Sequence, residues 1–266
     1  MDGYATIQQH LQTNMVFRAR RNNGEGPFER ASELWYPPAH FVGRGRFNAA
    51  RQPMFYVANR FRAAVFEMRP QVGDIFSVLA VQKRRPLEVI VCAHIGMERC
   101  LAPEVTIGAQ GRLLRDHPTM RRLFAEKGFA SRWLAIDRYL GDIATAECGP
   151  GDEGDFYKPT NALARVLGAI PGVDVLQYPS VAVGMKAINL CMTPTKADEL
   201  FSPSEAWMLK IEEHQDKLEG VTAENGGYYA IRFIARSEPI GEHGRLYWRP
   251  VGNGLVPNYL FGNPLF

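Results

Sequence analysis

The stretch MFYVANRFRAAVFEMRP, Met54 to Pro70, carries two hydrophobic periods in succession. Met54 to Ala58 is an apolar run of strand length. Arg60 to Met68 then gathers Phe61, Ala64, Val65 and Met68 on one helical face, since residues three and four apart lie together on a helix. A strand feeding directly into an amphipathic helix points to a mixed α and β chain. Glu67 falls off the apolar stripe, which leaves its carboxylate to solvent or to a ligand.

Upstream of this unit, Val16, Phe17 and Ala19 alternate with Arg18 and Arg20 in a short strand, so two arginines share one strand face. Residues 1–14 are polar, with room for one helical turn. Asn22 to Asn48 is rich in Gly, Pro and Arg, contains Pro37-Pro38, and reads as a long irregular loop. Loops of that length in a compact domain tend to carry function. Downstream, Ile75 to Gln82 and Leu87 to Cys92 read as adjacent strands.

Between Gly111 and Glu147 the pattern turns helical, with Ser131 as an N-cap and Trp133, Ile136, Leu140 and Ile143 at helical spacing; Gly149-Pro150-Gly151 ends that helix. A second helix opens near Pro159-Thr160, buries Leu163, Val166, Leu167 and Ile170, and stops at Pro171-Gly172. Val173 to Tyr178 and Ala187 to Met192 read as strands flanking the turn at Pro179-Ser180. After Pro194 the composition shifts: Leu200 to His214 reads as an amphipathic helix entered through Ser-Pro-Ser, and Tyr228 to Ser237 as a strand. The expected organisation is a catalytic core over 15–194 and a C-terminal extension over 195–266, packed on or next to the core.

Composition narrows the function. The chain has 266 residues, 46% of them apolar, enough to bury one large core. A formal charge of +3, from 31 basic and 28 acidic residues, gives no electrostatic footprint for a nucleic-acid backbone, so no nucleic-acid partner is expected. Cys92, Cys100, Cys148 and Cys191 form no C-x-x-C, and the six histidines form no H-E-x-x-H or Cys/His cluster, so neither a metal site nor a disulfide scaffold is expected. No uninterrupted apolar run is long enough to span a membrane and the N-terminus lacks a signal pattern; the expected location is the cytoplasm. The run G-R-G-R-F-N at 43–48 lacks the G-x-G-x-x-G spacing of a dinucleotide-binding strand–helix unit.

Four stretches taken in order resemble the RES-domain family, whose name comes from a characteristic Arg, Glu and Ser. They are F-R-A-R at 17–20; G-R-F-N at 45–48 with M-F-Y-V-A at 54–58; A-A-V-F-E-M-R-P at 63–70; and V-L-Q-Y-P-S-V at 175–181 followed by A-I-N-L at 187–190. The resemblance runs from Phe17 to Pro194. It implies an α+β fold, an ADP-ribosyltransferase-like core of mixed β-sheet with flanking helices, and breakdown of NAD at the nicotinamide–ribose bond by water or inorganic phosphate. NAD is then a substrate, with no resident cofactor. Many members resemble toxins restrained by an antitoxin or immunity protein. The long loop before Gly45 and the residues after the core depart from the family pattern.

The resemblance singles out Glu67, Arg46, Tyr56 and Ser180 as catalytic, with Arg18, Arg20, Asn48 and Asn189 holding NAD. Loss of a cationic nicotinamide passes through an oxocarbenium-like ribose, so such a site needs negative charge beside the sugar and no strong acid. Glu67 suits that role, although an isolated helical glutamate is more often a solvated residue beside a basic neighbour such as Arg69. Arg46, with Arg18 or Arg20, offers a bidentate fork to pyrophosphate, against the plainer reading of solvated loop arginines. Tyr56 is either a core tyrosine or a ring lining the nicotinamide or ribose pocket. Ser180 is either a turn-forming serine or a donor to ribose or phosphate; no G-x-S-x-G surrounds it, so it is not read as a nucleophile. Two other functions fit the same residues: ADP-ribosyl transfer to a macromolecule, and a catalytically inactive NAD-sensing or partner-docking module.

Overall fold

The computed structural model describes residues 6–10, 15–24, 26–86, 89–96, 125, 129–146, 153–183, 187–215, 228–241 and 243–251. Its strands are β1 (Thr6–His10), β2 (Met15–Arg21), β3 (Phe55–Ala58), β4 (Ile75–Lys83), β5 (Val89–His94), β6 (Val175–Pro179), β7 (Ile188–Met192), β8 (Phe201–Gln215), β9 (Tyr228–Ser237) and β10 (Trp248–Pro250). Its helices are α1 (Ala31–Leu34), α2 (Phe61–Phe66), α3 (Phe129–Thr145), α4 (Glu153–Phe156), α5 (Lys158–Gly168) and α6 (Pro194–Leu200). The strands form one mixed sheet in the order β1-β5-β6-β7-β3-β2-β4-β8-β9-β10, and β5–β6 is its parallel pair. The fold is α+β, a mixed sheet with flanking helices.

Side chains on a strand alternate between faces, and the core divides accordingly. Val16, Phe55, Val57, Leu79, Leu190 and Met192 pack on one face with Ala31 and Leu34 of α1 and Ala197 and Leu200 of α6. The opposite face carries two separate clusters. One lies under α2, where Phe61, Ala64 and Val65 meet Phe17, Ala19, Val78 and Trp207. The other joins Leu140 and Ala144 of α3 and Leu163 and Leu167 of α5 to Ala93, Leu176, Tyr178 and Cys191. Between these clusters run β3, β7 and the end of β6, which carry Tyr56, Asn189 and Tyr178, with Ser180 directly after β6.

Several expectations give way. The segment read as a helix over Leu200 to His214 is strand β8, paired along β4. Trp207, Leu209 and Ile211 are buried at every second position, and that period of two, satisfied by pairing along β4, prevails over the helix-like spacing. The Ser-Pro-Ser signal is bypassed by α6, which starts at Pro194 and is capped by the Thr193 hydroxyl accepting from Lys196 N. Residues Thr6–His10, read as room for a helical turn, pair with β5 as an edge strand. Strands β4 and β5 are not neighbours: β4 lies between β2 and β8, and β5 between β1 and β6.

Ser131 falls inside α3 instead of capping it, and Ile136 is exposed because Asp137 takes the inward position and accepts from Gly96 N at 2.9 Å. That contact rests on a Gly–Gly approach: a Cβ on Gly141 would come within 2.6 Å of the Gly96 Cα, so the pair lets α3 lie directly on the end of β5. Cys92 and Cys191 are buried free thiols; Cys100, Cys148, the helical pattern over 111–124 and the 149–151 stop lie outside the described residues. No described helix is long and apolar enough to cross a membrane.

Candidate active site

Helix α2 lasts under two turns, and Glu67 is its C-cap. The side chain is exposed, yet one of its oxygens is fixed. Ser180 Oγ donates to Glu67 Oε1 at 2.6 Å, and Asn189 Nδ2 donates to the same oxygen at 2.7 Å. Ser180 and Asn189 are themselves buried, so two preorganised donors from β6 and β7 hold a carboxylate that otherwise faces outward. Among the described residues no hydrogen bond reaches Oε2. The result is an oriented anion with one face open.

Arg46, which with Glu67 acts on the buried Tyr178, sits in the turn at 45–48. Its backbone closes with Gly45 N to Asn48 O at 3.1 Å. The Tyr56 hydroxyl donates to Asn48 Oδ1 at 2.8 Å and accepts from Phe47 N at 3.0 Å. Asn48 Nδ2 donates to the carbonyls of Gly43 and Ala49. From α5, Asn161 Nδ2 donates to Gly45 O at 2.8 Å and to Arg46 O at 3.3 Å. Tyr56 and Asn48 therefore shape the turn that presents Arg46. Burial, then Cys191 and Tyr178, push the Tyr56 hydroxyl well above its ordinary value, against the pull of the Phe47 N–H; it is a neutral phenol at any physiological pH.

Arg46 reaches the C-terminal end of α3, where Nη1 donates to Ala144 O and, at 3.1 Å, to Ala146 O. Its guanidinium also lies 5.6 Å from the Tyr157 ring centroid. Free carbonyls at a helix end attract a cation. Among the described residues no hydrogen bond uses Nε or Nη2, donors that suit an anionic ligand.

Arg18 and Arg20 follow Val16 onto the face opposite Glu67. Arg18 still meets the pocket's rear wall, because the β2–β3 ladder is reduced to the pair Phe17–Ala58 and the strands part beyond it. Into that opening Arg18 donates to Tyr56 O at 2.9 Å and to Trp35 O at 3.1 Å. Burial first, then the neighbouring Arg20 charge, bring the Arg18 guanidinium down to about 10, so it stays cationic at neutral pH. Arg20 donates to Glu33 O and lies over the Phe28 ring, away from Glu67.

A family model described as RES domain matches residues 15–212. The chain belongs to the RES-domain family. No curated protein matches it. The matched span covers β2 through most of β8, hence Arg18, Arg46, Tyr56, Glu67, Ser180 and Asn189 together.

Within this RES domain the structure adds groups that the sequence reading passed over. Tyr178 is buried between Glu67 and Arg46: burial and the Glu67 carboxylate push its hydroxyl well up, while Arg46 pulls it down. Its ring meets Phe47 edge-on at 4.8 Å. Asn161 braces the Arg46 turn, and Arg21 binds the turn after Glu67. Strand alternation gave signals for Tyr178, two positions before Ser180, and for Arg21, one position past Arg20; Asn161, on a helix distant in sequence, gave none. Among the described residues no group of three His, Cys, Asp or Glu side chains could hold a metal ion.

Proposed function

We propose that this RES domain cleaves the nicotinamide–ribose bond of NAD, passing ADP-ribose to water or to inorganic phosphate. The observation that carries the reading is Glu67: an exposed carboxylate whose Oε1 is pinned by Ser180 and Asn189 and whose Oε2 meets no hydrogen-bond partner among the described residues. As the C–N bond breaks, its electron pair goes to the ring nitrogen and neutralises the pyridinium, so the leaving group needs no proton. Positive charge grows on the ribose, and a fixed carboxylate beside it stabilises that charge. The acceptor oxygen then bonds to the anomeric carbon; with water, the displaced proton passes to Glu67 or to solvent.

Arg46 supplies a cation for the pyrophosphate with its remaining donors, and Arg18 adds positive potential from behind the sheet opening. Tyr178 and Phe47, buried and packed edge-on, form an apolar wall between these charges that lowers the local dielectric around them. An enzyme of this kind depletes a shared metabolite in the cytoplasm, so we propose that it restrains growth and is held in check by a protein that covers the pocket.

The test is direct. Purified protein incubated with NAD is expected to release nicotinamide, and Glu67→Gln to lower that rate by at least about 100-fold. Reactions with and without phosphate separate the acceptors through their products, ADP-ribose or its 1-phosphate. A labelled macromolecule formed from labelled NAD would instead mark a transferase, and NAD bound without turnover a sensing module.

A further inference from the structure

Helix α2 leaves Glu67 through a tight turn. Met68 N and Arg69 N bond back to Val65 O and Phe66 O, and Arg69 is left with φ of 48°, a left-handed conformation that L side chains resist. A turn of this kind does not hold itself.

Arg21 holds it. The third arginine of F-R-A-R-R falls on the opposite strand face from Arg18 and Arg20, which is the face of Phe17, Ala19 and α2. Its Nη2 lies 3.3 Å from Met68 O and 3.3 Å from Arg69 O, the two carbonyls that follow Glu67. The same nitrogen is 2.9 Å from Asp74 Oδ2, and the guanidinium stacks over Phe76 at 5.6 Å. Asp74 is fixed in turn. Its Oδ2 accepts from Gln71 N at 2.7 Å, its carbonyl accepts from Ile211 N at 2.9 Å, and Gly73 N donates to Ile211 O at 2.8 Å.

We propose that Arg21, backed by Asp74, is a positioning residue for Glu67, an inference that rests on the reading of Glu67 as the group beside the ribose. The carboxylate is held from two sides of the pocket. Ser180 and Asn189 fix the side chain from β6 and β7, and Arg21 fixes the backbone from β2, anchored through Asp74 on β8. A cation suits a pair of carbonyls. All three contacts converge on Nη2: glutamine is shorter and lacks the charge that meets Asp74, whereas lysine brings the charge on one nitrogen and loses the planar group over Phe76. With the clamp gone, the turn relaxes and Glu67 shifts relative to the sugar; displacements near an ångström cost up to about 100-fold in rate.

Steady-state nicotinamide release, NAD binding by calorimetry and thermal melting are to be measured on Arg21→Gln, Arg21→Lys and Asp74→Asn. The expected result for Arg21→Gln is kcat down by about 10- to 100-fold with KM and Kd for NAD within about threefold, and partial recovery in Arg21→Lys. A general structural role would instead move Kd and melting together and give lysine no advantage, and that outcome overturns the proposal. Asp74→Asn keeps an acceptor for Gln71 N and removes the charge opposite Arg21. It is expected to lower kcat in the same sense, and a wild-type kcat there overturns the proposal even if Arg21→Gln fails to fold. A crystal structure of Asp74→Asn or Arg21→Lys separates the clamp from the chemistry. Glu67 unmoved from Ser180 removes the clamp, whereas a wild type that releases no nicotinamide removes the proposed reaction.

Discussion

Ser180 Oγ donates to Glu67 Oε1 at 2.6 Å, tying the end of β6 to the end of α2 across the two clusters of that sheet face. The donor is fully buried and the acceptor exposed, so the bond fixes orientation more than it adds stability. Ser180→Ala is expected to lower nicotinamide release by about 10-fold with a small change in melting, and Asn189→Ala to act in the same direction. Both residues serve one oxygen, so the double variant should lose less than the product of the single losses. A Ser180→Ala enzyme at wild-type speed would remove this bond from the mechanism.

The Arg46 turn has its own weak point. A Cβ on Gly45 would stand 2.4 Å from Asn48 Oδ1 and 3.6 Å from the Tyr56 hydroxyl. Asn48 cannot swing aside without releasing Tyr56 and the carbonyls of Gly43 and Ala49. Gly45→Ala is therefore expected to cost about 1–3 kcal/mol in urea unfolding and to raise KM for NAD by displacing Arg46. Wild-type stability with wild-type KM would show that the turn tolerates the opening.

Alkaline pH probes the floor of the pocket. Burial is the leading cause that raises Tyr56, Tyr178 and Cys191, the thiol from 9.0 to about 12. Each folded value lies above its unfolded value, so the unfolded chain gives up protons that the folded chain retains. The stability is complete below pH of about 9 and falls as pH climbs from there through about 12. Melting midpoints measured from about pH 8 to about pH 11 should decline on the alkaline side, and Cys191→Ala should decline less steeply over the same range. Parallel curves for the two proteins would detach Cys191 from the effect.

Legibility in the sequence followed the range of the forces. The strand–helix unit over Met54 to Met68 and the strand Tyr228–Ser237 were visible because local periodicity and burial agree there. Strand β8 was misread: a helical fit to Leu200 to His214 ignores that Leu79 and Val78 of β4 supply its partners, and pairing is a tertiary fact. In the site, motif spacing singled out Glu67, Ser180 and Asn189, and the structure brings all three to one oxygen. Strand alternation sets Arg21 on the other face from Arg18 and Arg20, but only the sheet's orientation tells that this face meets α2. Asn48 was read as a ligand contact; its amide also bonds within the turn, to Gly43 O, Ala49 O and the Tyr56 hydroxyl, contacts that spacing does not encode.

The family match ends at residue 212, yet α2 rests on aromatic rings beyond it. Phe66 lies 5.0 Å from Tyr229, and Phe61 lies 5.6 Å from Phe233, which meets Trp207 edge-on at 5.6 Å. Strand β9 is thus the seat of the helix that carries Glu67, and through β8 it belongs to the same sheet. Phe233→Ala is expected to cost about 2–4 kcal/mol and to lower kcat with it, while Phe233→Leu should cost under about 1.5 kcal/mol. Urea unfolding followed by far-ultraviolet dichroism and by tryptophan fluorescence checks this. One coincident transition, moved to lower urea with an unchanged slope, is the expected outcome. Two transitions, of which Phe233→Ala moves only one and leaves kcat intact, would mean that the C-terminal strands fold apart from the helix that carries Glu67.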